Sequence, residues 1–280
     1  MAIFQSIACQ SINLSGRLMT FETPKIMGIL NLTPDSFFDG GKYNTADQAL
    51  SHAQKLVLDG ADILDIGPYS SRPGAAEISS WQEMDRAIPI IELIRKEFPH
   101  IPLSIDTFRA EVAAAAVQAG VDIINDISGG TLDENMFDTV AKLQVCYILM
   151  HMRGTPATMQ QFTQYDDLIS DIAVHLGHSI STLRDLGVKD IILDPGFGFS
   201  KTIDQNYDLL MHVDQFHYFQ LPVLGGISRK SMIYKKLGKS PDQVLAGTTA
   251  LNTLLLERSV QLLRVHDVAE AKQLINLFYS

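Results

Sequence analysis

The chain has 280 residues, 46% hydrophobic and 19% charged, which is the composition of a globular protein with a large core rather than a disordered polymer. Its formal net charge of −10 excludes a general phosphate-backbone binder, which needs a basic face, so no nucleic-acid partner is expected. No run approaches the roughly 18 consecutive apolar residues of a membrane helix, no cationic segment leads into an apolar core near Met1, and Cys9 and Cys146 make no disulfide framework; a cytoplasmic protein without a membrane partner is expected.

Residues 1–24 read as an N-terminal β-hairpin turning at Leu14-Ser15-Gly16-Arg17, placed to cover one end of whatever follows. Residues 25–280 read as one domain. Its first strand is the apolar run from Ile26, which breaks at Asn31 into the polar loop Leu32-Thr33-Pro34-Asp35-Ser36-Phe37-Phe38-Asp39-Gly40-Gly41. A near-continuous apolar run suits a strand buried on both faces of a parallel sheet. A helix is predicted from Thr45 to Gly60, then a strand over Asp62–Gly67 and a second unusual loop, Pro68-Tyr69-Ser70-Ser71-Arg72-Pro73-Gly74-Ala75. Helix over Trp81–Phe98, strand over Ile101–Thr107, the alanine-rich helix Glu111–Ala119, strand Asp122–Asp126, helix Asn135–Leu143 and strand Val145–Met150 follow. After His151-Met152-Arg153-Gly154 come a long helix over Tyr165–Leu186, strand and turn Ile191–Gly196, a helix near Tyr207–Phe216 and strand Pro222–Gly226. Helix Asp242–Glu257, strand Val260–His266 and a last helix from Asp267 complete the chain. About eight strand–helix units in strict alternation predict an α/β fold, a single (β/α)8 TIM barrel.

In such a barrel the C-terminal ends of the strands share one mouth, where the chemistry is placed. Those ends carry Asn31, Asp65, Asp106, Asn125 with Asp126, His151, Asp194, Ser228-Arg229-Lys230, and Arg264 with His266. Helix capping explains a single aspartate after a strand, and Asp126 and Asp267 are left to it. It does not explain Lys230, Arg264 and His266. Asp106, Asn125 and Asp194 suit a flat heterocycle with amino and ring N–H donors, and Lys230 suits an oxo or ring-nitrogen acceptor on it. Asn31, Arg264 and His266 suit a phosphate, with Asn31 offering an oxygen to a magnesium ion (Mg2+). No Walker or dinucleotide motif, zinc cluster or nucleophile elbow is present, so the site reads as one that binds and polarises.

The motifs Met27-Gly28-Ile29-Leu30-Asn31-Leu32-Thr33-Pro34-Asp35-Ser36-Phe37, Ser71-Arg72-Pro73-Gly74, Ser104-Ile105-Asp106-Thr107, Asn125-Asp126, Met150-His151-Met152, Asp194-Pro195-Gly196-Phe197-Gly198-Phe199, Ser228-Arg229-Lys230-Ser231 and Arg264-Val265-His266-Asp267 stand in one order. In that order the chain resembles the dihydropteroate synthases of the pterin-binding barrel family, from Met27 to His266. The resemblance implies condensation of (7,8-dihydropterin-6-yl)methyl diphosphate with 4-aminobenzoate, giving dihydropteroate and diphosphate for folate synthesis. It implies that Asp106, Asn125, Asp194, Phe199 and Lys230 hold the pterin, and that Asn31 ligates Mg2+. Ser71, Arg264, Val265 and His266 fall at diphosphate- and substrate-binding positions. Phe37, Ser71, Arg72, Pro73 and Ser231 fall around the aminobenzoate site, where sulfonamides compete in the family. An SN1-like reaction needs no nucleophilic residue; Arg264 and His266 would stabilise the leaving group, and Asp35 would assist the cation or the departing proton. A homodimer is the family expectation.

The second loop departs from the family's usual Gly-Gly-Glu-Ser-Thr-Arg-Pro-Gly, with Pro68-Tyr69 stiffening it and Ser71 lacking a methyl group. Phe38 and Arg153 replace smaller or neutral side chains. The rivals are a methyltetrahydrofolate methyltransferase-type barrel, which would need neither Ser71-Arg72-Pro73 nor Arg264–His266, and a non-catalytic pterin-binding paralogue.

Overall fold

The structure, a computed structural model, describes residues 10–32, 42–69 and 78–279. Strands β1 (Ser11–Leu14) and β2 (Arg17–Thr20) form the antiparallel hairpin, turning at Ser15-Gly16. The chain then runs β3 (Lys25–Asn31), α1 (Lys42–Leu58), β4 (Ile63–Gly67), α2 (Ser80–Glu97), β5 (Leu103–Asp106), α3 (Ala110–Gln118), β6 (Ile123–Asp126), α4 (Met136–Leu143) and β7 (Cys146–Met150). It continues through α5 (Leu168–Asp185), β8 (Ile191–Asp194), α6 (Ile203–Met211), β9 (Leu224–Gly225), α7 (Ser231–Leu237), α8 (Leu245–Glu257), β10 (Leu262–Val265) and α9 (Val268–Tyr279). Strands β3 to β8 pair in parallel with their chain neighbours, and β10 joins β3 to β9. The ring closes through the parallel bridge Leu193↔Val223, with the Leu193 N–H donating to the Pro222 carbonyl at 2.8 Å. This is the (β/α)8 barrel with its hairpin.

The twofold period of the strands sorts most of their apolar side chains to one of two cores. Ile26, Leu30, Leu64, Leu103, Ile105, Ile124, Tyr147, Leu149, Leu193 and Leu263 face outward and pack with the helices. Met27, Ile63, Ile123, Cys146, Ile148, Ile192, Leu224 and Leu262 face the barrel axis, where Ile12, Leu14 and Phe21 join them from the N-terminal end. The hairpin is therefore a plug in the bottom of the barrel. Asp190 accepts the Asn13 N–H at 2.7 Å, and Arg17 donates to the His100 carbonyl at 2.6 Å, so the plug is also tied at its rim.

Several boundaries differ from the sequence reading for local reasons. The helix expected near Tyr207–Phe216 is α6 followed by a 3-10 turn over Val213–Phe219. It starts early because Thr202 and Gln205 form a reciprocal capping box. Helix α5 starts at Leu168, where the Asp167 side chain accepts the Ser170 N–H at 2.8 Å. The segment from Asp242 begins as a 3-10 turn, Pro241–Gln243, before α8. Helix α1 begins three residues before Thr45, at Lys42.

Candidate active site at the barrel mouth

The alternation that fills the bottom of the barrel with apolar groups turns polar one step higher. Two residues beyond Ile63, Ile123, Ile192 and Leu262 stand Asp65, Asn125, Asp194 and Arg264, on the same inward face. Arg264 lies at the centre of this layer. Its Nε donates to Asp65 Oδ2 at 2.7 Å and its Nη2 to Asp106 Oδ2 at 2.7 Å, while Asn125 Nδ2 donates to Asp65 Oδ2 at 3.2 Å. Asp65 is fully buried, and its Oδ1 has no hydrogen-bond partner among the described residues. Burial, with the charges of Asp65, Glu83 and Asp126, raises the Asp106 carboxyl to about 7 against the pull of Arg264. Burial opposes the charge on Arg264 as well, yet Asp65 and Asp106 hold its pKa above the usual guanidinium value.

Lys230 and Asp194 form the opposite wall. Asp194 is 5% exposed and accepts the Gly196 N–H at 2.7 Å; burial raises its carboxyl, opposed by Lys230. Burial lowers Lys230 to about 8, opposed by Asp194. The Lys230 ammonium donates to the Phe197 carbonyl and stands 4.7 Å from the centre of the Phe199 ring. A β-carbon at Gly226 would lie 3.8 Å from Lys230 Nζ and 3.9 Å from Arg264 Cβ, so glycine keeps that space between the two cations open. Ile127, Met150, Met152, Met159 and Phe199 pack as one apolar cluster with Phe108 and Leu132 at the same end. Phe199, whose ring lies beside Lys230, thus carries three flexible thioethers in its cluster, a wall able to adapt to an apolar face.

The remaining predicted residues divide three ways. His266 is gathered with Ser228, whose hydroxyl lies 3.0 Å from His266 Nδ1 and accepts the His266 N–H at 3.2 Å. Ser231 opens α7 directly after Lys230. Asn31 ends β3 opposite Gly67, where a β-carbon would come within 3.1 Å of Asn31 Oδ1. The bare backbone at Gly67 thus keeps room beside an amide oxygen, which fits a magnesium ion that takes few protein ligands. Val265 has its side chain buried in the outer core, which leaves its backbone to face a ligand. Asp35, Phe37, Ser71, Arg72 and Pro73 lie outside the described residues.

Two residues left to helix capping do other structural work. Asp126 faces outward and accepts from the Ser128 and Gly130 N–H groups and the Tyr147 hydroxyl, and Asp267 pairs with Arg229 at 2.5 Å. His151 follows a strand but is turned away from the pocket toward Lys201 and His175. Arg153 is accommodated by stacking on Tyr165 at 4.0 Å and pairing with Asp171 at 3.1 Å. Sequence reasoning placed Asp65 at a strand end without giving it a part, and passed over Lys201 and the methionine wall. An aspartate two positions beyond an inward Ile63 was a usable signal for the first.

Residues 27–266 match the family described as pterin binding enzyme. A dihydropteroate synthase of Synechocystis is 44% identical over 252 residues, 89% of this chain and 87% of that protein. The Escherichia coli K12 dihydropteroate synthase is 39% identical over 91% of this chain and 90% of its own length. Among solved structures, a Yersinia pestis dihydropteroate synthase in a sulfonamide drug complex superposes with a TM-score of 0.90 at 40% identity, covering 96% of this chain and 98% of that one. The Xanthomonas albilineans enzyme in complex with 7,8-dihydropteroate superposes with a TM-score of 0.85 at 36% identity, covering 96% of this chain and 97% of that one. The chain belongs to the pterin-binding enzyme family and, within it, to the dihydropteroate synthases.

Proposed function

We propose that this chain joins (7,8-dihydropterin-6-yl)methyl diphosphate to 4-aminobenzoate at the barrel mouth, releasing diphosphate and forming 7,8-dihydropteroate. The observation that carries the reading is the inward layer of Asp106, Asn125 and Asp194 at the barrel mouth, with the Lys230 ammonium as a neighbour of Asp194. Carboxylates and an amide accept from the amino and ring N–H groups of a pterin, and the ammonium donates to its oxo or ring-nitrogen edge. That recognition holds the methylene carbon at the open side of the pocket. There the carbon–oxygen bond to diphosphate breaks, the amine nitrogen of aminobenzoate bonds to the carbon, and the amine proton leaves. An aromatic amine is neutral at pH 7, so no strong base is required. His266, with Ser228 behind it, faces the departing diphosphate, and Arg264 adds positive charge above Asp65 and Asp106. Asn31 would hold magnesium, which when bound supplies further charge for the leaving group. Asp35 assists the departing proton, and Phe37, Ser71, Arg72, Pro73 and Ser231 border the aminobenzoate site, where sulfonamides would compete.

In this reading residues 1–24 are an extension, residues 25–280 are the catalytic domain, and the enzyme works in the cytoplasm as a homodimer. Among the described residues, no helix is long and apolar enough to cross a membrane. Incubation with both substrates and magnesium tests the activity: dihydropteroate and diphosphate should appear in equal amounts. Pterin binding without either product would sink the synthase reading and leave the non-catalytic paralogue.

A further inference from the structure

The loop that follows β8 carries both Phe197, whose carbonyl holds Lys230, and Phe199, whose ring lies beside it, and this loop is fastened from behind the pocket. Lys201 is 3% exposed, and its Nζ lies 2.9 Å from the Gly196 carbonyl, 3.1 Å from the Phe199 carbonyl and 3.2 Å from His151 Nδ1. An ammonium has three donors, and here are three acceptors, provided His151 is neutral with its proton on Nε2. Burial and the charge of Lys201 drive His151 down to about 2, which agrees with a neutral ring. Asn206 supports the same loop, accepting the Gly198 N–H at 2.5 Å and donating to the Thr202 carbonyl at 2.7 Å. The backbone is shaped for this grip. Gly196 has φ +76°, and a β-carbon there would sit 2.0 Å from the His151 carbonyl. Ser200 accepts the left-handed φ of +45° although it is not glycine, and its hydroxyl accepts the Arg153 N–H at 3.1 Å.

We propose that Lys201 is a positioning residue for the pterin: from behind the pocket it fixes the 196–199 backbone that aims Lys230, and it places a second cation behind Asp194. The inference rests on the pterin reading of the site given above. Among the described residues no carboxylate pairs directly with the Lys201 ammonium. Asp194 is the carboxylate whose attraction supports its charge, while Lys230 and Arg153 oppose it and burial brings it to about 7. In return Lys201 helps to keep Asp194 ionised, together with Lys230 and Arg264. His151 and His175 pack about it, and Tyr165 stands against His151 with its hydroxyl donating to the Ser200 carbonyl at 2.9 Å.

The test is Lys201→Met, which conserves volume and removes a buried charge, so folding should be retained. Binding of 6-hydroxymethyl-7,8-dihydropterin, measured by calorimetry, should weaken about 10- to 100-fold, because two buried carbonyls and an imidazole lose their partner and Lys230 loses its rest. The KM for 4-aminobenzoate should stay within about twofold, a change small against the tenfold per 1.4 kcal/mol scale. The acid limb of pterin binding should move to higher pH, as Asp194 loses a supporting cation. If Lys201→Met yields no folded protein, Lys201→Gln carries the same measurements. Unchanged pterin affinity in a folded variant overturns the role of Lys201 while leaving the functional reading intact. Equal weakening toward both substrates with an unmoved acid limb also overturns it, in favour of a merely structural lysine. A parent chain that does not bind the pterin sinks the functional reading, and this inference with it.

Discussion

Asp122 at the bottom of the barrel and Asp65 at the mouth are both buried carboxylates facing arginine, and they are finished differently. Asp122 receives Arg17 at 3.3 Å on one oxygen, and Arg95 at 2.6 Å with the Leu103 N–H at 3.0 Å on the other. Arg95 in turn donates to the Gly120 and Ile101 carbonyls, so donors and acceptors close on themselves. Asp65 receives Arg264 and Asn125 on one oxygen only, and Arg264 must also serve Asp106. A buried polar group left without a partner costs about 1–3 kcal/mol. Asp122 avoids that loss and Asp65 accepts it. The difference teaches that the closed network holds the fold and the open one awaits a ligand.

The sharpest way to break this contrast is Asp122→Ala. It should destabilise the chain by about 3 kcal/mol in urea unfolding, the scale for breaking a buried pair, with both KM values unchanged. Lys230→Ala or Asp194→Ala should do the opposite: kcat/KM for the pterin substrate falls about 100-fold, roughly 2.7 kcal/mol, while stability holds or rises. Full activity in both variants would reject the pocket.

The pH profile sharpens the same point. Asp106, raised to about 7 by burial, must be ionised to accept a pterin N–H, and Lys230, lowered to about 8 by burial, must be protonated to donate. Pterin binding should therefore climb through pH 7 and decline above pH 8. For stability the sign is reversed. A carboxyl raised above its unfolded value of about 3.9 favours the folded state at low pH, and that contribution is lost as pH rises through 7. The smallest effect is expected from Arg17→Met at the plug. With a side chain 40% exposed, its ion pair is screened by solvent and should contribute less than about 1 kcal/mol.

The strands and the site layer were legible because period-two alternation and turn residues act locally. Asn31, Asp106, Asn125, Asp194, Lys230 and Arg264 were all recognisable as polar groups ending apolar runs. What those groups do to one another was not legible. Arg264, read as a phosphate ligand, is shared between Asp65 and Asp106, because register brings β10, β4 and β5 around one axis. His151 followed a strand as regularly as the others, yet packing turned it toward Lys201. Val265 lay inside a functional motif, but its parity on β10 points it at the helices. The capping box at Thr202 moved the start of α6 by several residues, since a cap is decided by geometry that spacing only hints at.

The closure of the ring carries one more consequence. From β10 through β3 to β8, neighbouring strands share three to five residues of register, as in Met27–Asn31 against Ile63–Gly67. Strand β9 is two residues long and shares two residues of register with β10, and the bridge Leu193↔Val223 just before it is the one β-bridge to β8 among the described residues. A hoop gives way where it is riveted thinnest. Local opening of the sheet should start at this seam. The loop holding Phe197 and Phe199 leaves β8 at one side of it, and Ser228 and Lys230 follow β9 at the other. Breathing of the scaffold would thus register first as a change in the width of the pterin slot.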